Sequence, residues 1–336
     1  MGISKPYHSF ERLVILAPNW LGDAIMALPA IADVRRAVPG ASIAAAARPA
    51  IAPLFRMTGN DLNEVITIEH GLEIAGKGFD AALLLPNSFH AAWIAVRARI
   101  AERWGYRTEW RALLLTRAVE PPSGLHQVEY YQQLVHALDF PNGPIEPTLK
   151  VPPEAQEAGA QLLRQSGWDG REPLVALAPG ASYGGAKRWP PASFAALADT
   201  LAADGVRCVM IGSREDARTA GEVAGASVAS GARKRALLNL VGRTDLPALA
   251  GVLSACRAVV TNDSGAMHLA AAIGVAVTAV FGPTDDRATR PVGNANVVIT
   301  GPAWCRPCML RECPLDHWCM RGIEVAPVVD AARRTL

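Results

Sequence analysis

Between Val259 and Thr284 the chain reads VVTNDSGAMHLAAAIGVAVTAVFGPT, and the polar turn at its centre is built to face an anion. Asn262, Asp263, Ser264 and Gly265 supply capping side chains and a pliable backbone at a helix start, where free N–H groups meet a phosphate at the positive end of the helix. His268 follows within the first helical turn. An ordinary N-cap with a hydrogen-bonded histidine would use the same residues, so other stretches must decide between the two. One of them is PGASYGGAKRWP, Pro179 to Pro190, where a strand gives way to a small-residue loop that delivers Lys187 and Arg188 just before a helix. Its glycines let backbone approach a diphosphate, Ser182 and Tyr183 can donate hydrogen bonds, and Lys187 adds a mobile point charge. The G-x-x-x-x-G-K-[ST] pattern of a Walker A loop is absent.

Carboxylates come next. GSRED places Glu215 and Asp216 after the second strand of this half, where a Rossmann-like domain holds ribose hydroxyls; helix-capping acids are the competing explanation. No D-x-D occurs in the chain, so a carboxylate-held magnesium on the diphosphate is not evident, and lysine, arginine and helix N-termini must neutralise a leaving group. In PNWLGD, Asp23 stands at a strand-to-helix turn, where a plain helix-starting aspartate and a general base for an acceptor hydroxyl are both open readings. The segment RARIAERWGYRTEWRALLLTR, from Arg97 to Arg117, interleaves arginines with Trp104, Tyr106 and Trp110, and Arg48 ends the second strand. Guanidinium forks suit a phosphorylated or carboxylated sugar; nucleic acid or a solvated helix face would also account for many of them.

Cys305, Cys308, Cys313 and Cys319 form a C-x₂-C-x₄-C-x₅-C run with His317 inside it. The spacing departs from a paired zinc ribbon, so structural zinc, reduced thiols and a disulfide all remain open, and nothing in it resembles an open catalytic zinc site. Cys208 and Cys256 lie in apolar surroundings and read as core residues.

The elements that hold these residues alternate, strand then helix, along the chain. LVILAP, SIAAAA, VITI and AALLLP read as strands, a helix is expected to follow PNWLGD as far as Val38, and Ser88 opens SFHAAWIAVRARIA. After the proline-rich stretch from Glu120 to Pro153, a second series runs through LVALAPG, a helix over Pro191 to Ala203, VRCVMIG, a helix from about Arg214, LPALAGVLSAC, AVVTND and VAVTAVFG. The expectation is an α/β protein of two Rossmann-like doubly wound domains, residues 1–152 and 153–336, facing a cleft at the carboxyl ends of the strands, with a cysteine-rich loop at 305–319. A chain of 336 residues, half of them hydrophobic, suits two such cores, and a net charge of +2 is too mild for a protein that coats nucleic acid. The start of the chain has no long apolar run before a small-residue cleavage site, and the stretch Ala266 to Gly282 reads as helix plus buried strand, so a cytoplasmic protein is expected.

Taken together, PNWLGD, LPNSF at Leu85 to Phe89, WGYRTEWR, PGASYGGAKRWP, NDSGAMHLAAA and FGPT resemble the ADP-heptose:lipopolysaccharide heptosyltransferase family, and its type II branch most. They run from residue 18 to 284 in family order. The resemblance implies a GT-B fold and inverting transfer of L-glycero-D-manno-heptose from ADP-heptose to the inner core of a lipid A–linked saccharide. It implies no required cofactor, no nucleic acid partner, a cysteine run that varies among relatives and has no catalytic part, and transient contact with the cytoplasmic face of the inner membrane, although no strong amphipathic anchor stands out. Position by position, Asp23 would be the base and Lys187 would hold the diphosphate with Arg188, Asp263, Ser264, Gly265 and His268. Ser182 and Tyr183 would lie beside the phosphates and Asp216 near the ribose; Tyr183 replaces a smaller family residue. The acceptor set is Asn19, Trp20, Arg48, Arg107 and Arg111. A transferase using another sugar nucleotide or acceptor would employ the same residues, while a non-catalytic zinc- and RNA-binding module would be indifferent to Asp23. A Rossmann oxidoreductase is disfavoured because no G-x-G-x-x-G follows either first strand.

Overall fold

The computed structural model describes residues 10–229 and 237–336; the first nine residues, on which the reading of the chain's start partly rests, lie outside the described residues. The chain divides between Lys150 and Val151 into two compact units, two residues ahead of the break at 152/153 read from the sequence.

In the first unit, β1 (Arg12–Leu16), β2 (Ser42–Ala47), β3 (Glu64–Thr67), β4 (Ala81–Leu84), β5 (Glu102–Tyr106) and β6 (Arg117–Val119) form one sheet in the order β3-β2-β1-β4-β5-β6. Every pairing is parallel. Parallel neighbours need crossover connections that cover both faces of the sheet, which is why the central strands are apolar runs rather than alternations: β4 is buried throughout and SIAAAA nearly so. The order reverses between β1 and β4, and at such a switch point the loops after two neighbouring strands part and leave room for a ligand.

The second unit repeats the plan. β7 (Leu174–Ala178), β8 (Arg207–Met210), β9 (Leu237–Asn239), β10 (Ala258–Asn262), β11 (Ala276–Phe281) and β12 (Val297–Thr300) pair in parallel in the order β12-β11-β10-β7-β8-β9. Here the switch lies between β7 and β10, whose following loops are PGASYGGAKRWP and NDSG.

Three local departures from expectation have physical causes. The helix expected to run from the PNWLGD turn to Val38 is two helices, Leu21–Met26 and Leu28–Ala37; Pro29 lacks an N–H and its ring crowds the carbonyl of the preceding turn. The basic stretch from Arg97 to Arg117 is a helix end followed by β5, the turn Arg111–Leu114 and β6, so its arginines do not line one helix face. Only three residues long at the sheet edge, β6 carries too little pattern to be read as a strand. By contrast, Ser88 does cap the helix Phe89–Arg97, accepting the Ala91 N–H on its Oγ at 3.3 Å.

Candidate active site

The second unit assembles its charged site from the two switch-point loops. After β7 the chain runs Pro179 to Arg188 and is then pinned by Trp189, which is fully buried. The indole packs edge-on to Phe194 at 5.1 Å and its Nε1 donates to the Ile323 carbonyl at 3.0 Å. Burying so large a side chain is worth a few kcal/mol and fixes the residues just before it. The loop after β10 is tied to the same strand end by Asn262. Its amide donates to the carbonyls of Pro179 at 2.8 Å and Gly180 at 3.2 Å, and its Oδ1 accepts the Trp189 N–H at 3.0 Å.

This lacing brings Lys187 onto Asp263 with Nζ to Oδ2 at 2.5 Å, and Thr284 donates to the same oxygen at 2.7 Å. Both charged side chains are largely buried, at 12 % and 8 % exposure, so the pair holds the ammonium in one place. Tyr183 lies beneath it, its ring centroid 4.5 Å from Nζ and 5.1 Å from the Arg311 guanidinium. The Tyr183 hydroxyl donates to the Met309 carbonyl at 2.8 Å. Tyr183 therefore positions Lys187, and its hydroxyl is already engaged, in place of the phosphate contact expected of it.

Ser264 precedes the helix Gly265–Ala272 but does not cap it; its Oγ lies 3.0 Å from the Thr261 hydroxyl instead. Of the two readings the sequence left open, the ordinary N-cap is not seen at Ser264, and a helix N-terminus without such a cap suits an anion. His268 is buried within this helix, and Gly265 begins it.

The loop that carries Lys187 also lines a cavity of about 430 Å³, through Ser182, Gly184, Gly185 and Arg188, with Ser213, Glu215, Asp216 and Glu312 in the same wall. The buried Arg188 Nε has no hydrogen-bond partner among the described residues. An unsatisfied guanidinium nitrogen in such a place costs folding free energy and suits an anionic oxygen. Asp216, expected at the ribose, is in the wall of the same cavity; it is mostly buried and accepts from Ser213 N at 2.9 Å and Ser213 Oγ at 2.8 Å. Its carboxylate fills the space where a side chain on Gly180 would collide with it. Glu215, one residue earlier, is exposed and lines the cavity; hydrogen bonding to its own backbone and to Ser213 holds its carboxyl below the usual range.

Three residues that sequence reading missed come from the cysteine-rich segment. The Arg311 carbonyl accepts the Ala186 N–H at 3.0 Å, Glu312 accepts the Gly185 N–H at 3.2 Å, and Met309 receives Tyr183. Their neighbours in sequence are cysteines, which drew attention away from them. The zinc reading of those cysteines finds no support: among the described residues, no group of three or more His, Cys, Asp and Glu side chains is arranged to hold a metal. All four thiols are free. Cys313 Sγ accepts the N–H groups of Leu315 at 3.3 Å and His317 at 3.2 Å. Burial first, and then neighbouring Cys305, Cys313 and Cys308, push the Cys319 thiol up.

In the first unit, Asp23 stands in the first turn of Leu21–Met26, half-buried just beyond the carboxyl end of β1. Burial pushes the phenol of Tyr131 up, and the Asp23 carboxylate adds to that shift, placing the two groups within electrostatic reach. Asn19 and Arg48 meet at a smaller cavity of about 60 Å³, with Glu69, His70, Ser88 and His90 also in its wall. Trp20 is exposed beside them in sequence and Arg107 pairs with Glu120 at 2.8 Å on the surface. Arg111 contradicts its expected role in acceptor binding. It is fully buried, donates to the carbonyls of Tyr106 at 2.7 Å, Ser88 at 3.4 Å and Pro86, and holds strand end and loop together. Burial pulls its guanidinium down to about 10.

The family model described as glycosyltransferase family 9 (heptosyltransferase) matches residues 68–319, a span that includes both switch-point loops of the second unit. The chain belongs to glycosyltransferase family 9. It is 32 % identical over 311 residues to lipopolysaccharide heptosyltransferase 2 of Salmonella typhimurium, covering 86 % of this chain and 87 % of the relative. Against lipooligosaccharide heptosyltransferase 2 of Haemophilus influenzae the identity is 30 %, covering 86 % and 88 %. The solved structure of Escherichia coli ADP-heptose lps heptosyltransferase II superposes with a TM-score of 0.82 at 28 % identity, over 96 % of this chain and 98 % of that one. As a family 9 transferase the protein is an enzyme of the GT-B class, which sets aside the oxidoreductase and the non-catalytic zinc- and RNA-binding readings. Among the described residues, no helix is long and apolar enough to cross a membrane.

Proposed function

We propose that this family 9 transferase moves L-glycero-D-manno-heptose from ADP-heptose to the inner core of lipid A–linked lipopolysaccharide, with inversion at the anomeric carbon. The second unit takes the donor and the first the acceptor. The observation that carries the donor assignment is the cradle itself: Lys187 clamped between Asp263 and Tyr183, a helix start without a side-chain cap at Ser264, and, next to Lys187 in sequence, Arg188, which lines a cavity of about 430 Å³ and whose Nε has no partner among the described residues. That combination suits a diphosphate, whose charge grows as the glycosidic oxygen departs. Glu215 and Asp216 both line the same cavity, and of the two it is the exposed Glu215 that reaches the ribose hydroxyls, with Asp216 holding the turn behind it.

In the reaction, the Asp23 carboxylate accepts the proton of the acceptor hydroxyl. The acceptor's oxygen then bonds to the anomeric carbon on the face opposite the diphosphate, and the bond from that carbon to the phosphate oxygen breaks with its electrons going to ADP. Lys187 and Arg188 meet the charge so released. Asn19, Trp20 and Arg48 orient the acceptor, and the enzyme works at the cytoplasmic face of the inner membrane, where such an acceptor is anchored.

The test is incubation with ADP-heptose and a heptosyl inner-core acceptor, with product mass and anomeric configuration as the readout. Addition of one heptose with inversion is expected. Transfer from a different sugar nucleotide, with none from ADP-heptose, would overturn the donor assignment while leaving the family intact.

A further inference from the structure

We propose that an exposed aromatic face of the first unit, formed by Phe89, Trp93, Trp110 and Leu113 and flanked by Arg97 and Arg99, docks on a membrane surface bearing anionic headgroups. The helix Phe89–Arg97 turns Ala91, Ala92, Ile94 and Ala95 into the core. Residues four apart share a helix face, so Phe89, Trp93 and Arg97 stand together on the outside, where a surface helix ordinarily carries polar side chains. Phe89 and Trp93 are each 44 % exposed and stack at 6.5 Å. The adjoining turn Arg111–Leu114 packs on the same helix. Leu114 and Leu115, partly buried, pack against the core cluster that the helix shares, while Trp110 and Leu113 remain 92 % and 93 % exposed.

This display is held in place by the fold. Glu109 and Trp110 adopt left-handed backbone angles, with φ of 47° and 61°, a conformation that side chains other than glycine take only under constraint. The constraint is visible on both sides of them. The Glu109 carboxylate accepts the Phe89 N–H at 3.1 Å, and Arg111 is buried and anchored to backbone carbonyls. A strained backbone that projects an indole into solvent points to a partner for that indole. Trp is favoured at the boundary between water and lipid, where its apolar body and polar N–H are both accommodated. Exposed Arg97 and Arg99 add attraction to anionic headgroups, the charge complement that a lipid surface supplies. The inference rests on the proposed function only in that a lipid-anchored acceptor gives such docking a use.

The experiment uses the full chain with vesicles of phosphatidylglycerol and phosphatidylethanolamine, or of phosphatidylcholine alone, read by co-sedimentation and by tryptophan fluorescence. Binding to the anionic vesicles is expected, weakened about tenfold by Trp110→Asn and again by Leu113→Gln, roughly what losing a buried apolar side chain predicts. Asn tolerates the left-handed backbone at position 110, and transfer to a soluble delipidated acceptor should be unchanged in both variants. Arg97→Gln should weaken anionic but not neutral vesicle binding. Absence of vesicle binding, binding indifferent to these substitutions, or a lipid-free dimer that the same substitutions dissociate would overturn the proposal. Vesicle binding is read without donor or acceptor, so a wrong donor assignment leaves this result intact.

Discussion

The two units share one strand order, yet they use charge in opposite ways. In the second unit polar groups at the sheet's switch point converge: Lys187 and Thr284 both meet Asp263 Oδ2, and the buried Nε of the neighbouring Arg188 has no partner among the described residues. In the first unit the most buried arginine, Arg111, is wholly occupied in tying backbone together, and Asp33 is likewise buried between Arg36 and Gln132 at 2.9 Å from each. The groups the first unit leaves to solvent near its strand ends are Asn19, Trp20, Arg48 and an aromatic face. The same scaffold thus presents a preformed polar cradle in one half and a looser, amphipathic surface in the other. On the function proposed above, convergent fixed charges would recognise the small anionic donor and spread contacts the large amphipathic acceptor.

The largest test of that contrast is Asp23→Asn. If the first unit supplies the base, kcat should fall by about 10²–10⁴ with ADP affinity unchanged, as measured by turnover and calorimetric titration. Unchanged turnover would leave the first unit with no chemical part. Lys187→Met should do the reverse, weakening ADP by about tenfold to a hundredfold, the worth of a hydrogen bond to a charged group; titration with ADP alone reads it. Arg111→Met should destabilise the first unit by about 2–4 kcal/mol, because the carbonyls it serves lose their donor in a buried setting. Hydrogen exchange should localise the loss to residues near Pro86 and Tyr106 and spare the second unit.

Gly180→Ala sharpens the comparison from the other side. The added methyl would collide with the buried Asp216 carboxylate, so the loop carrying Lys187 should shift, with a cost of about 1–3 kcal/mol and a weaker ADP complex. The smallest effect concerns pH. N–H groups of His70 and Glu69 hold the Glu73 carboxyl down, from the ordinary 4.5 to about 2. A depressed acid stabilises the fold above its unfolded value and loses that contribution as pH falls through the folded one. The melting-temperature gap between wild type and Glu73→Gln should therefore close between pH 4.5 and about 2.

Much of this was legible in the amino-acid sequence for a definite reason. Strands buried on both faces must be apolar runs, so LVALAPG, AVVTND and SIAAAA announce a parallel sheet, and small residues between strand and helix announce a phosphate loop. The weak edge strands β6 and β9, three residues each, carry too few side chains to show a period. Arg111 read as a ligand residue because its type and neighbours suggest one; nothing local reveals that carbonyls from Pro86 and Ser88 would surround it.

By itself, then, the order of residues determined the alternation of strands and helices and the doubling of the domain, and it offered Lys187, Asp263 and Asp23 as candidates for the chemistry. Tertiary structure alone decided which neighbours share a carboxylate oxygen, that Tyr183 steadies Lys187, that Asp216 caps its own turn, and that Glu312 reaches Gly185 across the unit. Periodicity is a local property written by burial on each element, whereas a hydrogen bond between residues 127 positions apart depends on how the elements pack, which no local window contains.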